Sequence, residues 1–238
     1  MTGAGRVAAL VLGAGRGERL GHALPKAFVP VAGESLIERS IRALAESRVI
    51  DLIQPVLAAA EFERFEALGI GASVPSLTGP VEGGRERQDS MRAGLEALPA
   101  EIEFVAVHDA ARCLVAPEDL VAVVAAAGQS GAAILGERSL DTIKRVVNGE
   151  IVETPERSEC WAAQTPQVIR KDWLEAAVEA AVAAGRQATD DAQLVEWAGH
   201  SVTMVESTSP NPKMTRPEDL LLAESLLADQ RPAKGEAI

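Results

Sequence analysis

The segment from Val7 to Lys26 constrains the chain more than any other. Val-Ala-Ala-Leu-Val-Leu is an apolar run of strand length, and it gives way at once to Gly13, Gly15 and Gly17, interleaved with Arg16 and Arg19, before closing on Pro25-Lys26. Such a run reads as a buried strand, and the loop after it as a backbone surface suited to an anion. Glycines admit positive φ and let N–H groups approach a ligand with no Cβ in the way. Arginine grips phosphate oxygens with a two-pronged fork, and lysine sets a compact charge beside a reacting phosphoryl group. Two familiar phosphate loops are excluded. A dinucleotide fingerprint needs glycine where Glu18 stands, and a Walker loop needs Gly-Lys-Ser/Thr ahead of its helix. A tight strand-to-helix turn with no ligand is the plain alternative.

Charge narrows the guest. The 238-residue chain carries a formal charge of -12, which argues against general affinity for nucleic acid. The first 26 residues run the other way, with Arg6, Arg16, Arg19 and Lys26 against Glu18 alone. A local basic patch on an acidic protein suits a small polyanion such as a nucleoside triphosphate. Cys113 and Cys160 lie far apart and form no Cys-x-x-Cys pair, so neither a disulfide framework nor a zinc site is indicated. The N-terminus lacks a signal-peptide pattern, and no run approaches the roughly 20 apolar residues of a membrane span. The expectation is a soluble, cytoplasmic protein with a substantial core, hydrophobic residues making up 47% of the chain.

The rest of the chain alternates strand and helix. Ser35 caps a helix to Ser47 with Leu36, Ile37, Ile41 and Leu44 on one face. Leu52 to Leu57 reads as a strand in which Pro55 suggests an irregular or edge position, Glu61 to Leu68 as a weak helix, and Ala72 to Leu77 as a short strand. Strands follow at Phe104–Val107, Ala132–Gly136 and Ser201–Val205, with helices at 117–128, 171–185 (Trp173, Leu174, Ala177, Val178 and Val182 inward), 191–199 and 216–227. This rhythm predicts an α/β fold on a mostly parallel sheet, as one domain over 1–229 with a frayed polar tail at 230–238.

Three further stretches carry chemistry. Gly83-Gly84 precedes a helix opened by Arg85 to Ser90, so that loop either flanks the same ligand crevice or holds arginines that merely solvate a helix start. Asp109, just past a buried strand, is a candidate ligand for a divalent metal, because Mg²⁺ prefers carboxylate oxygen; His108 beside it reads as a packed or hydrogen-bonded residue. Asn148-Gly149 between two β-rich runs is a hairpin signal, and a two-stranded ribbon needs cover from its own domain or from a second subunit.

Taken together, these blocks resemble one family. Gly-Ala-Gly-x-Gly-x-Arg-Leu with Pro-Lys-Ala-Phe looks like the signature of the cytidylyltransferases that act on 2-C-methyl-D-erythritol 4-phosphate in the non-mevalonate route to isoprenoids. Gly83-Gly84 with Arg87-Gln88-Asp89-Ser90, His108 to Arg112, Asp141 to Lys144, Gln164 to Gln167, Thr189 to Ala192 and Lys213 to Thr215 match in order, so the resemblance spans nearly the whole chain. The family often differs at Leu12, Gly13, Ala27, Cys113 and near Arg138, but none of these departures removes a charged position.

The resemblance implies a Rossmann-like nucleotidyltransferase fold with helices on both faces and a β-arm at about 138–163 that embraces a second subunit. CTP would be the co-substrate, Mg²⁺ or another divalent cation the cofactor, and a homodimer the working form. Carried over residue by residue, Gly13, Ala14, Gly15 and Gly17 would hold the triphosphate with Arg19 and Lys26. Gly84 and Ser90 would read the cytidine, Arg85 would also bind CTP, and Asp109 would bind the metal. Asp109, Arg112, Thr142, Arg157, Thr165 and Thr189 would hold the sugar phosphate, with Lys213 orienting its attack. Arg19, Lys26, Arg157 and Lys213 form the catalytic set. The rivals are a ribitol 5-phosphate cytidylyltransferase, which would differ on the sugar-phosphate side, and a nucleotide-binding protein without catalysis.

Overall fold

The computed structural model describes residues 5–15 and 20–229. Val7–Leu12 forms strand β1, apolar throughout because both of its faces are covered. It is followed by the short pair β2 (Pro30–Val31) and β3 (Glu34–Ser35), then α1 (Leu36–Glu46), β4 (Leu52–Leu57), α2 (Phe62–Glu66), β5 (Val81–Glu82), α3 (Arg87–Glu96) and β6 (Phe104–Asp109). The second half comprises α4 (Pro117–Ser130), β7 (Ala132–Arg138), the hairpin β8 (Arg145–Val147) and β9 (Glu150–Glu153), β10 (Trp161–Arg170), α5 (Lys171–Ala183), α6 (Asp191–Trp197), β11 (Thr203–Glu206) and α7 (Pro217–Asp229).

Seven strands make one sheet in the order β11-β7-β10-β6-β1-β4-β5, parallel except for β10, which runs antiparallel to both neighbours. The alternation of side chains across a strand splits β1 between two cores. Val7, Ala9 and Val11 meet Ile37, Ile41 and Leu44 of α1 and Leu120, Val123 and Val124 of α4. Ala8 and Leu10 face the other way, against Met91 and Leu95 of α3, Leu174 and Val178 of α5, and Leu194 and Val195 of α6. Burying each leucine-sized side chain contributes about 1.5–3 kcal/mol. The resulting three layers hold the sheet's central strand ends in fixed positions. Helix α1 starts sharply because Ser35 and Glu38 form a reciprocal capping box.

Four details differ from the sequence expectations. Of the two positions expected for Pro55 the irregular one holds and the edge one does not, since β4 lies between β1 and β5 but its outer ladder has a gap at Pro55, where the Gln54 amide donates to Gly79 O at 2.7 Å. The strand expected at Ala72–Leu77 is instead a 3-10 turn (Ile70–Ala72) and further turns, with one isolated bridge to β4 where Leu77 pairs with Ile53. Ile70 and Val74 are both buried, four residues apart, joined by a Val74 N–H to Ile70 O bond, so helical spacing won over alternation. The outer sheet partner of β4 is β5, at Val81–Glu82. The central strand β10 has no counterpart among the expected strands, and Val182 is exposed while Ala181 is buried in its stead.

The hairpin forms about its Asn-Gly turn, with both residues at positive φ (51° and 85°), the pairing a tight type I′ turn requires. It projects between Arg138, at the end of β7, and Trp161, at the start of β10, two residues that are themselves cross-strand partners. Leu140, Val146 and Ile151 are exposed along it.

Candidate active site

Strands β1, β4 and β6 end together, and a cleft of about 210 Å³ opens at their carboxyl ends. Gly13, Ala14 and Gly15 form one wall, Lys26 and Ala27 another, and Gly84 to Arg87 with Ser90 a third; Asp109 and Lys213 complete it. Gly13 and Gly15 do not adopt the positive φ expected of them. Close approach explains Gly13, where a Cβ would lie 2.8 Å from Leu57 Cδ2, whereas among the described residues nothing comes within 4 Å of a Cβ at Gly15. Gly83 is required because a Cβ there would meet the Ala14 Cβ at 2.6 Å, so the two glycine loops sit directly against each other. Lys26 is held by a 3-10 turn over Lys26–Phe28, whose Ala27 and Phe28 are buried.

A chain of charges forms the floor. The Arg87 guanidinium donates to both oxygens of Asp191 at 2.8 Å each, and its Nε donates to Asp109 Oδ1 at 3.2 Å. Lys213 Nζ reaches Asp109 Oδ2 at 2.6 Å. Burial alone would raise the Asp109 pKa, but Arg87 and then Lys213 outweigh it and hold the carboxyl well below the usual carboxylate range. Burial lowers the Arg87 pKa less than Asp191 and Asp109 raise it, so the guanidinium stays charged. Asp191 is pushed upward by burial, against the pull of Arg87.

Gly13, Ala14, Gly15, Lys26, Gly84, Arg85, Ser90, Asp109 and Lys213 thus converge on one cleft. Gly17 and Arg19, with Arg16 and the tail at 230–238, lie outside the described residues. Arg112 does not line the cleft; it donates to Asn211 O at 2.7 Å and to Ala163 O at 3.3 Å. Thr142 and Arg157 lie on the exposed arm, where Arg157 donates to Leu140 O at 3.4 Å. Thr189 is exposed beside Gln193.

Thr165 is buried beneath the floor. Its hydroxyl oxygen accepts the Asp109 N–H at 3.0 Å and lies 3.1 Å from His108 Nδ1. His108 is completely buried, and desolvation pushes its pKa down to about 4, with Asp109 opposing and Arg112 assisting. The folded pKa lies below the unfolded value near 6.5, so between these limits only the unfolded chain takes up the proton. The His108 contribution to stability is therefore expected to be full above about pH 6.5 and to fall on acidification towards pH 4, by about 1.4 kcal/mol per pH unit at most. Urea unfolding across this range should show that slope, and His108→Asn should flatten it; an unchanged slope in the variant would assign the dependence to other groups.

The family model described as IspD, 2-C-methyl-D-erythritol 4-phosphate cytidylyltransferase, matches residues 7–229. The chain belongs to this family. A curated relative of that name from Geobacillus kaustophilus is 44% identical over 223 residues, covering 93% of this chain and 97% of its own. The crystal structure of the Thermus thermophilus cytidylyltransferase superposes with a TM-score of 0.74 at 33% identity, over 94% of this chain and 99% of that one. The 4-diphosphocytidyl-2C-methyl-D-erythritol synthase of Anaerococcus prevotii gives 0.85 at 26% identity, over 95% and 97%. The sheet and its flanking helices are accordingly those of an α/β nucleotidyltransferase.

Within this cytidylyltransferase frame the sequence motifs miss the floor's second half. Local pattern marks Arg87 only as one of two arginines at a helix start, and it gives Asp191 and Gln167 places in matching blocks but no role. Gln167 accepts the N–H groups of Asp191 and Ala192 at 2.9 and 2.8 Å and thereby fixes the start of α6. Among the described residues no group of three or more His, Cys, Asp or Glu could enclose a metal. A single buried carboxylate, Asp109, fits a Mg²⁺ that takes most of its ligands from substrate phosphates and water, and does not fit one held by protein alone.

Proposed function

We propose that the chain transfers the cytidylyl group of CTP to 2-C-methyl-D-erythritol 4-phosphate, giving 4-diphosphocytidyl-2-C-methyl-D-erythritol and pyrophosphate, with residues 1–229 acting as one domain. The convergence of the Gly13–Gly15 loop, Lys26 and the Asp109–Lys213 pair on one cleft supports it most directly. A phosphate monoester is already anionic near neutral pH, so its oxygen attacks the α-phosphorus of CTP without a general base. The bond to the β-phosphate oxygen breaks, and pyrophosphate leaves with the electron pair.

Positioning and charge neutralisation carry such a reaction. Backbone amides of Gly13 to Gly17 cradle the triphosphate, and Arg19 and Lys26 meet the charge that grows towards the leaving group. Gly84, Arg85 and Ser90 hold the cytidine. Lys213 orients the attacking phosphate, aided by Arg112 and Thr189, while Thr165 keeps Asp109 in place from below. A divalent cation on Asp109 would add Lewis-acid neutralisation of the triphosphate. Thr142 and Arg157 sit on the arm and do not line their own cleft, which supports a homodimer whose arms each serve the partner's substrate; the cytoplasm is the compartment that a biosynthetic enzyme of this family suits. The apolar residues exposed on the arm suit that contact.

Pyrophosphate release is the test, measured with each nucleoside triphosphate against methylerythritol phosphate and ribitol 5-phosphate. Release is expected with CTP and methylerythritol phosphate alone, and EDTA should abolish it. No release from that pair would sink the reading, undiminished release in EDTA would remove the metal, and a monomeric mass by light scattering at working concentration would remove the dimer.

A further inference from the structure

The buried carboxylate of Asp191 is not explained by the fold. Helix α6 is already capped by Asp190, whose Oδ1 accepts the Gln193 N–H at 3.0 Å, and by Gln167, which accepts the N–H groups of Asp191 and Ala192. Asp191 is only 1% exposed, and a carboxylate so deep is costly unless its charge is needed. Both of its oxygens go to one guanidinium, that of Arg87, 104 residues away in sequence. A bidentate fork fixes the plane of that group as well as its place. Arg87 Nε is then aimed at Asp109 Oδ1, which leaves Oδ2 turned to Lys213 at the cleft.

We infer that Asp191 is a positioning residue for the transfer reaction, acting through Arg87 to orient Asp109 and, through Asp109, Lys213. Its charge balances Arg87, so that Asp109 is shared between Arg87 and Lys213 and not drawn wholly to the arginine. An amide at 191 would turn an N–H towards the guanidinium and break the fork; Asp109 would become the guanidinium's sole carboxylate partner and swing from Lys213.

The inference rests on the cytidylyl-transfer reading, and the wild-type enzyme separates the two: no pyrophosphate release from wild type fails that reading, whatever the variants do. With wild type active, Asp191→Asn should lower kcat per folded molecule about 10–100-fold, the range for losing a residue that orients a site ligand. KM for CTP should change little, because ground-state binding by the glycine loops is untouched. In an Arg87→Met background, substitution of Asp191 should have no further effect on kcat. Arg87→Met/Asp191→Leu replaces the ion pair by apolar groups and keeps the fold in reach should Asp191→Asn not fold; it should be equally slow. Wild-type kcat in either folded variant, or effects of Arg87→Met and Asp191→Asn that simply multiply, would overturn the inference.

Discussion

Lys26→Ala is expected to lower kcat by about a hundred- to a thousand-fold, the equivalent of about 2.7–4 kcal/mol, with the fold intact. The reasoning is geometric. Lys26 opens the Lys26–Phe28 turn, whose anchors are the buried Ala27 and Phe28 and the Phe28 N–H to Pro25 O bond, so the lysine's amine can be removed without unseating the turn. It lines the same cleft as Asp109 and Lys213. A preorganised cation acts most strongly where charge develops during the reaction, so the loss should fall on kcat more than on KM for CTP. A loss appearing only in KM would place Lys26 in ground-state binding; a variant as fast as wild type would remove it from the chemistry.

Arg87→Met should cost about 3–5 kcal/mol of folding stability, a large share of what a domain this size has. The Asp191 side chain is 1% exposed and that of Arg87 30%, so the substitution strands a carboxylate where water scarcely reaches. The lower end of the range is expected, since part of the arginine is solvated. Removing both charges in Arg87→Met/Asp191→Leu should recover most of the loss, because the penalty lies in the unpaired carboxylate and not in the absent attraction. Urea titration at pH 7 gives both values. A single-variant cost below about 1 kcal/mol would mean that Asp191 simply takes up a proton or finds water.

What could be read from the chain and what could not divide along physical lines. Strand β1, the Ser35-capped helix and the Asn-Gly hairpin depend on contacts or turn chemistry within a few residues, and all were legible. So was the wall of the cleft, because Gly13 to Gly15, Lys26 and Gly83-Gly84 come in short motifs. Strand β10 was hidden because its register shifts between Ala163 and Gln167, around Pro166, which interrupts any alternation. The second half of the floor, Arg87 and Asp191, was hidden for a different reason. Arg87 and Asp191 are ordinary helix-start residues by local pattern, and only the tertiary fold brings them within 2.8 Å. The glycines show the converse: their presence was informative, but at Gly13 and Gly83 the operative cause is a crowded neighbour and not a left-handed backbone.

Strand β10 leaves the arm at Trp161, runs alongside Asp109 where the Thr165 hydroxyl accepts its N–H, and ends at Arg170 against β6. One stretch of backbone is therefore both the root of the projection and a flank of the cleft's charged floor. For anyone redesigning this protein, the arm is not a module to be trimmed or exchanged at its base. A graft that alters the pitch at Trp161 would be felt at Thr165, and swaps are best confined to the tip, beyond Arg145 and Glu153, where the β8–β9 ladder forms a sheet of its own.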